Sequence, residues 1–379
     1  MLSYWEQESF LAYDHIIIGA GIVGLSVSIE FALRYPNQKI LILERGWLPS
    51  GASTRNAGFA CMGSASELLE DLNLMSETAV FSLFEKRKKG LEKLRSRLGD
   101  ATIGFRQQGS YELIKQEDLS IIDQLDYLNQ LLFPIANKKA FIPSNKKLTE
   151  FGFSSEIAQG LIENTCEGEL HIGKMMKALW SCALEHHVEI KTGVEVARYE
   201  EDSHHIAVII NDPIRNEEIA LKASSVCICT NGFTKNLVAE EPVVPGRGQV
   251  MITDPIPSLP FKGIFHFDKG YYYFREIDGR VLLGGGRNLD VDGETTTDLS
   301  LHQPIQQHLE NLLRTYILPN HQFNIAQRWS GIMAFGSDKL PIVKALSPRV
   351  FGAFKMGGMG VALGSLVAEE LASLHQNYS

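Results

Sequence analysis

The sequence predicts an α/β fold. A parallel-sheet domain, contributed by both ends of the chain, is interrupted by an α+β domain with a mixed β-sheet. Three observations predict it. A β–α–β unit opens the chain: an apolar strand at 15–18, a helix over 22–34 and a second strand at 39–43. Strands and helices alternate near both ends, and the last helix runs over 361–375. The middle is rich in sheet, with strands at 249–253, 270–275 and 281–284 and a hairpin turn at Asp278-Gly279. At 379 residues the chain has room for two domains. The pattern places the first at 1–85, 150–240 and 335–379, and the second at 86–149 and 241–334.

The remaining elements follow in order. Pro36-Asn37 stops the first helix. A basic stretch at 81–98 is helical in pattern, 110–115 reads as a strand, and 118–132 as another helix. A helix over 175–187 feeds a strand at 188–191, and further strands follow at 206–210, 219–221 and 226–229. There is no internal repeat and no low-complexity tract.

Composition narrows the classes. The chain is 44% hydrophobic and 21% charged, and no apolar stretch reaches the roughly 18 residues that a membrane span needs. Residues 1–14 carry Glu6, Glu8 and Asp14 without Lys or Arg, unlike a secretory leader, so a cytoplasmic location is expected. Five cysteines, Cys61, Cys166, Cys182, Cys227 and Cys229, lack metal-ligand spacing and read as buried free thiols. A net charge of −9 argues against nucleic acid as a partner.

The first chemical motif is Gly19-Ala20-Gly21-Ile22-Val23-Gly24, a G-x-G-x-x-G that leaves an apolar strand and opens a helix. Gly19 makes the tight turn, Gly21 lets the backbone approach a pyrophosphate, and Gly24 allows close packing of helix on strand. The helix N-terminus, at Ile22 and Val23, then offers free N–H groups to the phosphates. Glu44, with Arg45 after it, ends the second strand 20 residues after Gly24, where a carboxylate can bond a ribose hydroxyl. This is a Rossmann-type dinucleotide site, and the acid disfavours a 2′-phosphate.

The next segment separates the candidate cofactors. Gly51-Ala52-Ser53-Thr54-Arg55-Asn56-Ala57-Gly58 resembles the G-A-S-x-R-N-x-G segment of the D-amino-acid-oxidase-like family of FAD-dependent oxidoreductases, which includes glycine, sarcosine and γ-glutamylputrescine oxidases. The resemblance covers nearly the whole chain. It implies non-covalent FAD, with Ala52, Ser53, Arg55, Asn56, Ala57 and Gly58 contacting pyrophosphate and flavin. It further implies that Glu167 to His171 leads the chain back to the FAD domain and that the backbone at Val196 meets the adenine. By the same resemblance Thr230-Asn231-Gly232 closes over the cofactor, and Pro245 to Gln249 enters the substrate domain. Trp329-Ser330-Gly331-Ile332-Met333 returns toward the flavin. Gly357-Gly358-Met359-Gly360-Val361 is the family's second glycine turn, where a helix N-terminus faces the flavin pyrimidine.

On the substrate side, Tyr271, Tyr273 and Arg275 alternate and share a strand face. That face either binds a carboxylate or surrounds an amine, or it is a half-buried sheet face with a rim arginine. By resemblance an arginine that pairs with the substrate carboxylate is expected where Met333 stands, and a second where Gly358 stands. Arg275, Arg287 and Arg55 are the replacements to consider, and an amine substrate gains weight. Met333-Ala334-Phe335 contains no cysteine for flavin attachment. Cys61 reads as a buried thiol and His171 as a structural hydrogen-bonding residue, while His186, His187, His204 and His205 read as solvated. The expectation is FAD-dependent oxidation of a C–N bond in a small amine or amino acid, with oxygen or another acceptor taking the electrons. Oxidation of a hydroxy acid and an NAD-dependent dehydrogenase are the alternatives.

Overall fold

The computed structural model describes residues 2–212 and 214–378. Ile16 to Ile18, Leu41 to Leu43 and Val226 to Ile228 are apolar without interruption, as suits strands buried on both faces. They form the centre of an eight-stranded sheet: Ile342–Ala345, Val350–Phe354, Glu217–Ile228, Ala12–Ile18, Ile40–Glu44 and Glu189–Thr192, in spatial order. The inner pairings are parallel and Ile342–Ala345 runs antiparallel at the edge. Val196–Glu201 and Ile206–Asp212 fold back beside the long strand Glu217–Ile228 as an antiparallel flap.

Alternation decides what covers each face. Ile17, Ile42 and Cys227 point into a helical layer that includes Ile22–Arg34, Glu77–Leu98, Ile172–Glu185 and Gly360–Gln376. Ile16, Ile18, Leu41, Leu43, Val226 and Ile228 point toward the flap. Gly90 brings two helices together: a Cβ there would lie 2.1 Å from the Ala362 carbonyl. The stretches expected as separate strands at 219–221 and 226–229 are one strand. Its first half alternates on the flap, where Lys222 and Ser224 face outward, and this masks its continuity in sequence.

The second sheet also has eight strands, in the order Ile325–Phe335, Val244–Thr253, Arg280–Gly285, Tyr272–Ile277, Ile264–Phe267, Ser110–Ile114, Gly160–Asn164 and Phe141–Pro143. The hairpin at Asp278-Gly279 has φ +50° and +73°, left-handed at both positions, as the tight turn requires. One face packs Phe265, Phe267, Phe274, Met251 and Leu283 beneath the helix Gln303–Leu312. The other face turns toward the first sheet.

Gly160–Asn164 pairs within the second sheet, and the helix Glu77–Leu98 runs across position 85. The chain therefore does not change sheet at 149–150, and position 85 falls inside a helix. The helix expected at 118–132 is divided into a 3₁₀ segment, Gln116–Gln124, and an α-helix, Leu125–Ala136. Among the described residues, no helix is long and apolar enough to cross a membrane.

Candidate active site

A cavity of about 690 Å³ opens at the carboxyl ends of the central parallel strands and extends beneath the second sheet. Its first end is built by the glycine turn. Gly19 has φ +102°, and a Cβ on it would come 2.9 Å from the Cys229 carbonyl. A Cβ on Gly24 would lie 1.8 Å from the Gly19 carbonyl, so only glycine lets the helix start this close to the strand. The N-cap Gly21 offers no side chain, and the Ile22 N–H instead donates to Ser53 Oγ at 2.9 Å.

Glu44 is buried on the same wall. One carboxylate oxygen accepts from the Ala20 N–H (2.9 Å) and the other from the Gly46 N–H (3.0 Å), which fixes the group and leaves a lone pair on each oxygen. Val194 donates its N–H to the Glu44 carbonyl, bringing the 194–196 backbone to the cavity. Arg45 stacks over Phe233 at 3.7 Å.

The loop after the short helix Ala52–Arg55 joins the two sheets. Arg55 donates to the carbonyls of Ser50 and Ser330, and Trp329 Nε1 donates to the Arg55 carbonyl, each at 2.9 Å. The opposite wall carries the second glycine turn. Asn231, at φ +47°, accepts the Met356 N–H on its Oδ1 (3.2 Å), so two strand-end turns brace each other. Gly357 and Gly358 have φ +57° and +82° and deliver the chain to the uncapped N-terminus of Gly360–Gln376. Cys61 Sγ lies 3.2 Å from Met359 Sδ, and burial pushes its thiol pKa up. Toward the open end Lys339 bridges Asp71 (2.7 Å) and Glu67 (3.6 Å).

Gly19, Gly21, Ile22, Val23, Glu44, Arg45, Ala52, Ser53, Arg55, Asn56, Ala57, Val196, Thr230, Asn231, Gly232, Gly331, Gly357, Gly358, Met359, Gly360 and Val361 all line this one cavity. Gly24 and Gly58 stand directly behind the wall and let it pack.

Of the three substrate-side residues, Tyr271 and Tyr273 reach the cavity and Arg275 does not. Tyr271 is half-exposed just before its strand, whereas burial pushes the Tyr273 hydroxyl up to about 12, so it stays protonated. Arg275 is a correction to the sequence reading. Its guanidinium Nη1 donates to the carbonyls of Ala57, Gly58 and Leu170, and Nη2 lies 3.4 Å from Glu169. The backbone of the cofactor-side loop has consumed the fork that a carboxylate would need. Arg275→Met should lower the unfolding free energy by about 3–5 kcal/mol, because it strands buried carbonyls and the Glu169 carboxyl. Denaturant unfolding checks this, and a loss below ~0.5 kcal/mol would refute a structural role.

Met333 fills the space between Gly248 and Gly358: a Cβ on Gly248 would lie 2.9 Å from its Cε, and one on Gly358 3.6 Å from its Sδ. Of the replacement arginines, Arg55 and Arg275 are held by carbonyls. Arg287 is different. It lines the cavity, stacks on Phe335 at 4.6 Å and reaches Thr295 Oγ1 at 3.3 Å, while its buried Nε has no partner among the described residues. His171 caps its helix by accepting the Lys174 N–H. Among the described residues no group of three His, Cys, Asp or Glu is placed to hold a metal ion.

The cradle of glycines, the buried acid and the second helix N-terminus have a counterpart in known proteins. The family model for FAD-dependent oxidoreductases of the DAO type matches residues 14–374. The chain belongs to that family. This DAO-family chain is 22% identical over 387 aligned residues to the probable oxidoreductase OrdL of Haemophilus influenzae, covering 94% of the chain and 82% of that protein. Its fold superposes on L-proline dehydrogenase from P. horikoshii with a TM-score of 0.76 at 18% identity, over 97% of this chain and 94% of that one. Glycine oxidase from Geobacillus kaustophilus gives 0.73 at 22% identity, over 97% and 95%. The protein is an FAD-dependent oxidoreductase. The cavity fits that cofactor at its glycine end, where Cβ atoms on Gly19, Gly21 and Gly24 would each meet another atom within 3 Å. A plain NAD-dependent dehydrogenase is set aside.

His266 and Phe59 escaped the sequence reading although both line the cavity, and Glu167 reads in sequence only as part of the passage back to the FAD domain. The strand that carries His266 is only four residues long, Ile264–Phe267, and gives too little alternation to detect.

Proposed function

We propose that this enzyme oxidises the C–N bond of a small amino acid or carboxylate-bearing amine to an imine, with the carboxylate held by Arg287. The observation that carries this is Arg287 itself, which lines the cavity with its plane on Phe335 and, among the described residues, spends its guanidinium only on Thr295 Oγ1. A guanidinium with free donors is suited to a carboxylate. Two fold relatives carry amino-acid names, proline dehydrogenase and glycine oxidase, and this supports the same substrate class here.

FAD would be held with its pyrophosphate at the N-terminus of Ile22–Arg34, its ribose at Glu44 and its adenine against the 194–196 backbone. The flavin would lie among residues 52–58 and 357–361. When bound, it supplies a two-electron acceptor for the hydride leaving the substrate carbon. The chain's own residues do the rest. Arg287 fixes one end of the substrate, Tyr273 presents a neutral hydroxyl beside it, and Phe59, Met333 and Phe335 limit water. The first sheet with its helices is then the FAD-binding unit and the second sheet the substrate-binding unit.

Anaerobic mixing of the FAD-loaded protein with glycine, L- and D-alanine, L- and D-proline, putrescine, glycolate and lactate tests the reading. Bleaching of the flavin by amino acids is the expected result. Bleaching by glycolate or lactate alone would overturn C–N oxidation in favour of a hydroxy acid. Reoxidation in air distinguishes oxygen from another acceptor.

A further inference from the structure

Strand register places an unassigned group beside the site. Glu112, His266 and Tyr273 are direct cross-strand neighbours on the cavity-facing side of the second sheet. Tyr273 and His266 both form part of the cavity wall, and the ring of Phe59 packs edge-on against each, at 5.6 and 5.1 Å. His266 is 6% exposed, and its Nε2 has no hydrogen-bond partner among the described residues. The nearest anion is Glu167 Oε2 at 3.6 Å, an ion-pair distance and too long for a hydrogen bond.

Glu167 is itself locked. Its carboxylate accepts the N–H groups of Met62 (2.6 Å) and Gly63 (3.0 Å) and the hydroxyl of Ser110. Behind His266 lies a void of about 10 Å³ whose lining mixes Ser64, Ser110 and Glu167 with Ala65, Phe141 and Ile162. That is about the room of one water. Glu112 closes the far side and is tied to Ser66 by its backbone N–H and its hydroxyl. A cavity-lining imidazole whose buried Nε2 faces a carboxylate fixed by three donors exceeds what packing a sheet requires.

We propose that His266 is the proton acceptor of the reaction, with Glu167 as its positioning partner. This rests on the C–N oxidation proposed above. An amine or amino acid enters mostly as the ammonium, which has no lone pair to assist departure of the hydride. One N–H bond of the ammonium breaks, its electron pair stays on the substrate nitrogen, and the proton moves to neutral His266. The resulting imidazolium is stabilised by Glu167. Departure of the hydride then leaves the protonated imine, which gives up its remaining proton to water on release, and the imidazolium returns its own proton to solvent when product departs.

The surrounding charges set the pH at which this works. Burial alone lowers the imidazole's affinity for a proton, but Glu167 first, then Glu67 and Glu112, outweigh it and leave the pKa above the ordinary value. Tyr273, on the adjoining strand, is neutral. Because His266 must be unprotonated to accept, flavin reduction should rise with pH along a limb set by His266.

The test uses the FAD-loaded enzyme and whichever amine or amino acid of the panel above reduces the flavin fastest. His266→Gln should slow reduction at neutral pH about 100-fold, within the usual range for a general base, and move the rising limb up toward the substrate amine's own pKa. Glu167→Gln should keep the acceptor but move the limb down by about one pH unit, since the carboxylate no longer favours the imidazolium. Opposite shifts from two touching residues would not come from a loss of packing. Histidine ¹⁵N titration gives a readout independent of turnover. The resonance that disappears in His266→Gln should titrate above the usual histidine range in the parent and fall in Glu167→Gln. A limb that stays put in both variants, or a His266 resonance unmoved by Glu167→Gln, would overturn the assignment. If no amine or amino acid bleaches the flavin at all, the C–N reading fails and this one with it. If they bleach it and the limbs do not move, only the role of His266 fails.

Discussion

A Gly24→Ala protein is expected to purify colourless. The added methyl would sit 1.8 Å from the Gly19 carbonyl oxygen, and both sides of that clash are backbone, so no side chain can turn away. Relief requires the helix Ile22–Arg34 to retreat from the strand Ala12–Ile18 by more than an ångström. Its first-turn N–H groups would retreat with it, and these are the groups expected to hold the pyrophosphate. The Ile22–Ser53 hydrogen bond, which ties the helix start to the second cofactor segment, would break as well. Gly51→Ala is the matching control. It lies in the same glycine-rich region, but a Cβ there meets nothing within 4 Å. Flavin content per protein, measured by visible absorbance after desalting, should be near zero for Gly24→Ala and normal for Gly51→Ala. Full occupancy in Gly24→Ala would refute the placement of FAD at this turn.

Such a turn is visible in sequence because its chemistry is local. Gly19, Gly21 and Gly24 act within six residues, and the strand, helix and acid that complete the motif fall within 30. The second glycine turn at 357–360 is equally local, although what faces it depends on the whole fold. The substrate side is legible only in part, for a physical reason. Alternation correctly places Tyr273 and Arg275 on one sheet face, but it does not show what stands opposite. Opposite Arg275 stand the carbonyls of Ala57, Gly58 and Leu170, 218, 217 and 105 residues away in the chain. Its fate is fixed by tertiary contacts that no local pattern carries. His266 is hidden for a related reason. Its meaning lies in register with Glu112 and Tyr273, and its strand is too short to announce itself.

Arg287 sits between these cases, since it follows a glycine pair but has no motif of its own. Gly285 and Gly286, at φ +125° and +79°, end the strand and turn the chain so that Arg287 enters the cavity, where Phe335 supports its plane. Arg287→Met should therefore raise KM for amino-acid substrates by about 10- to 150-fold, equivalent to the 1.5–3 kcal/mol of a hydrogen bond to a charged group. kcat should change far less, because the contact is present in the ground state as well as the transition state. Arg287→Lys should recover little, since a point charge on a flexible stem lacks the planar fork. Reduction by putrescine, which has no carboxylate, should be unaffected if that amine is accepted at all. Met333→Arg in the Arg287→Met background then asks whether a cation placed further along the same sheet, two residues from Phe335, can take over. Met333 already reaches toward Gly248 and Gly358, so the longer side chain would enter the same space. Recovery of amino-acid binding there would mean that the carboxylate lies between the two positions. Equal loss for putrescine and amino acids in Arg287→Met would instead show that Arg287 supports the fold of the cavity and that the carboxylate is bound elsewhere.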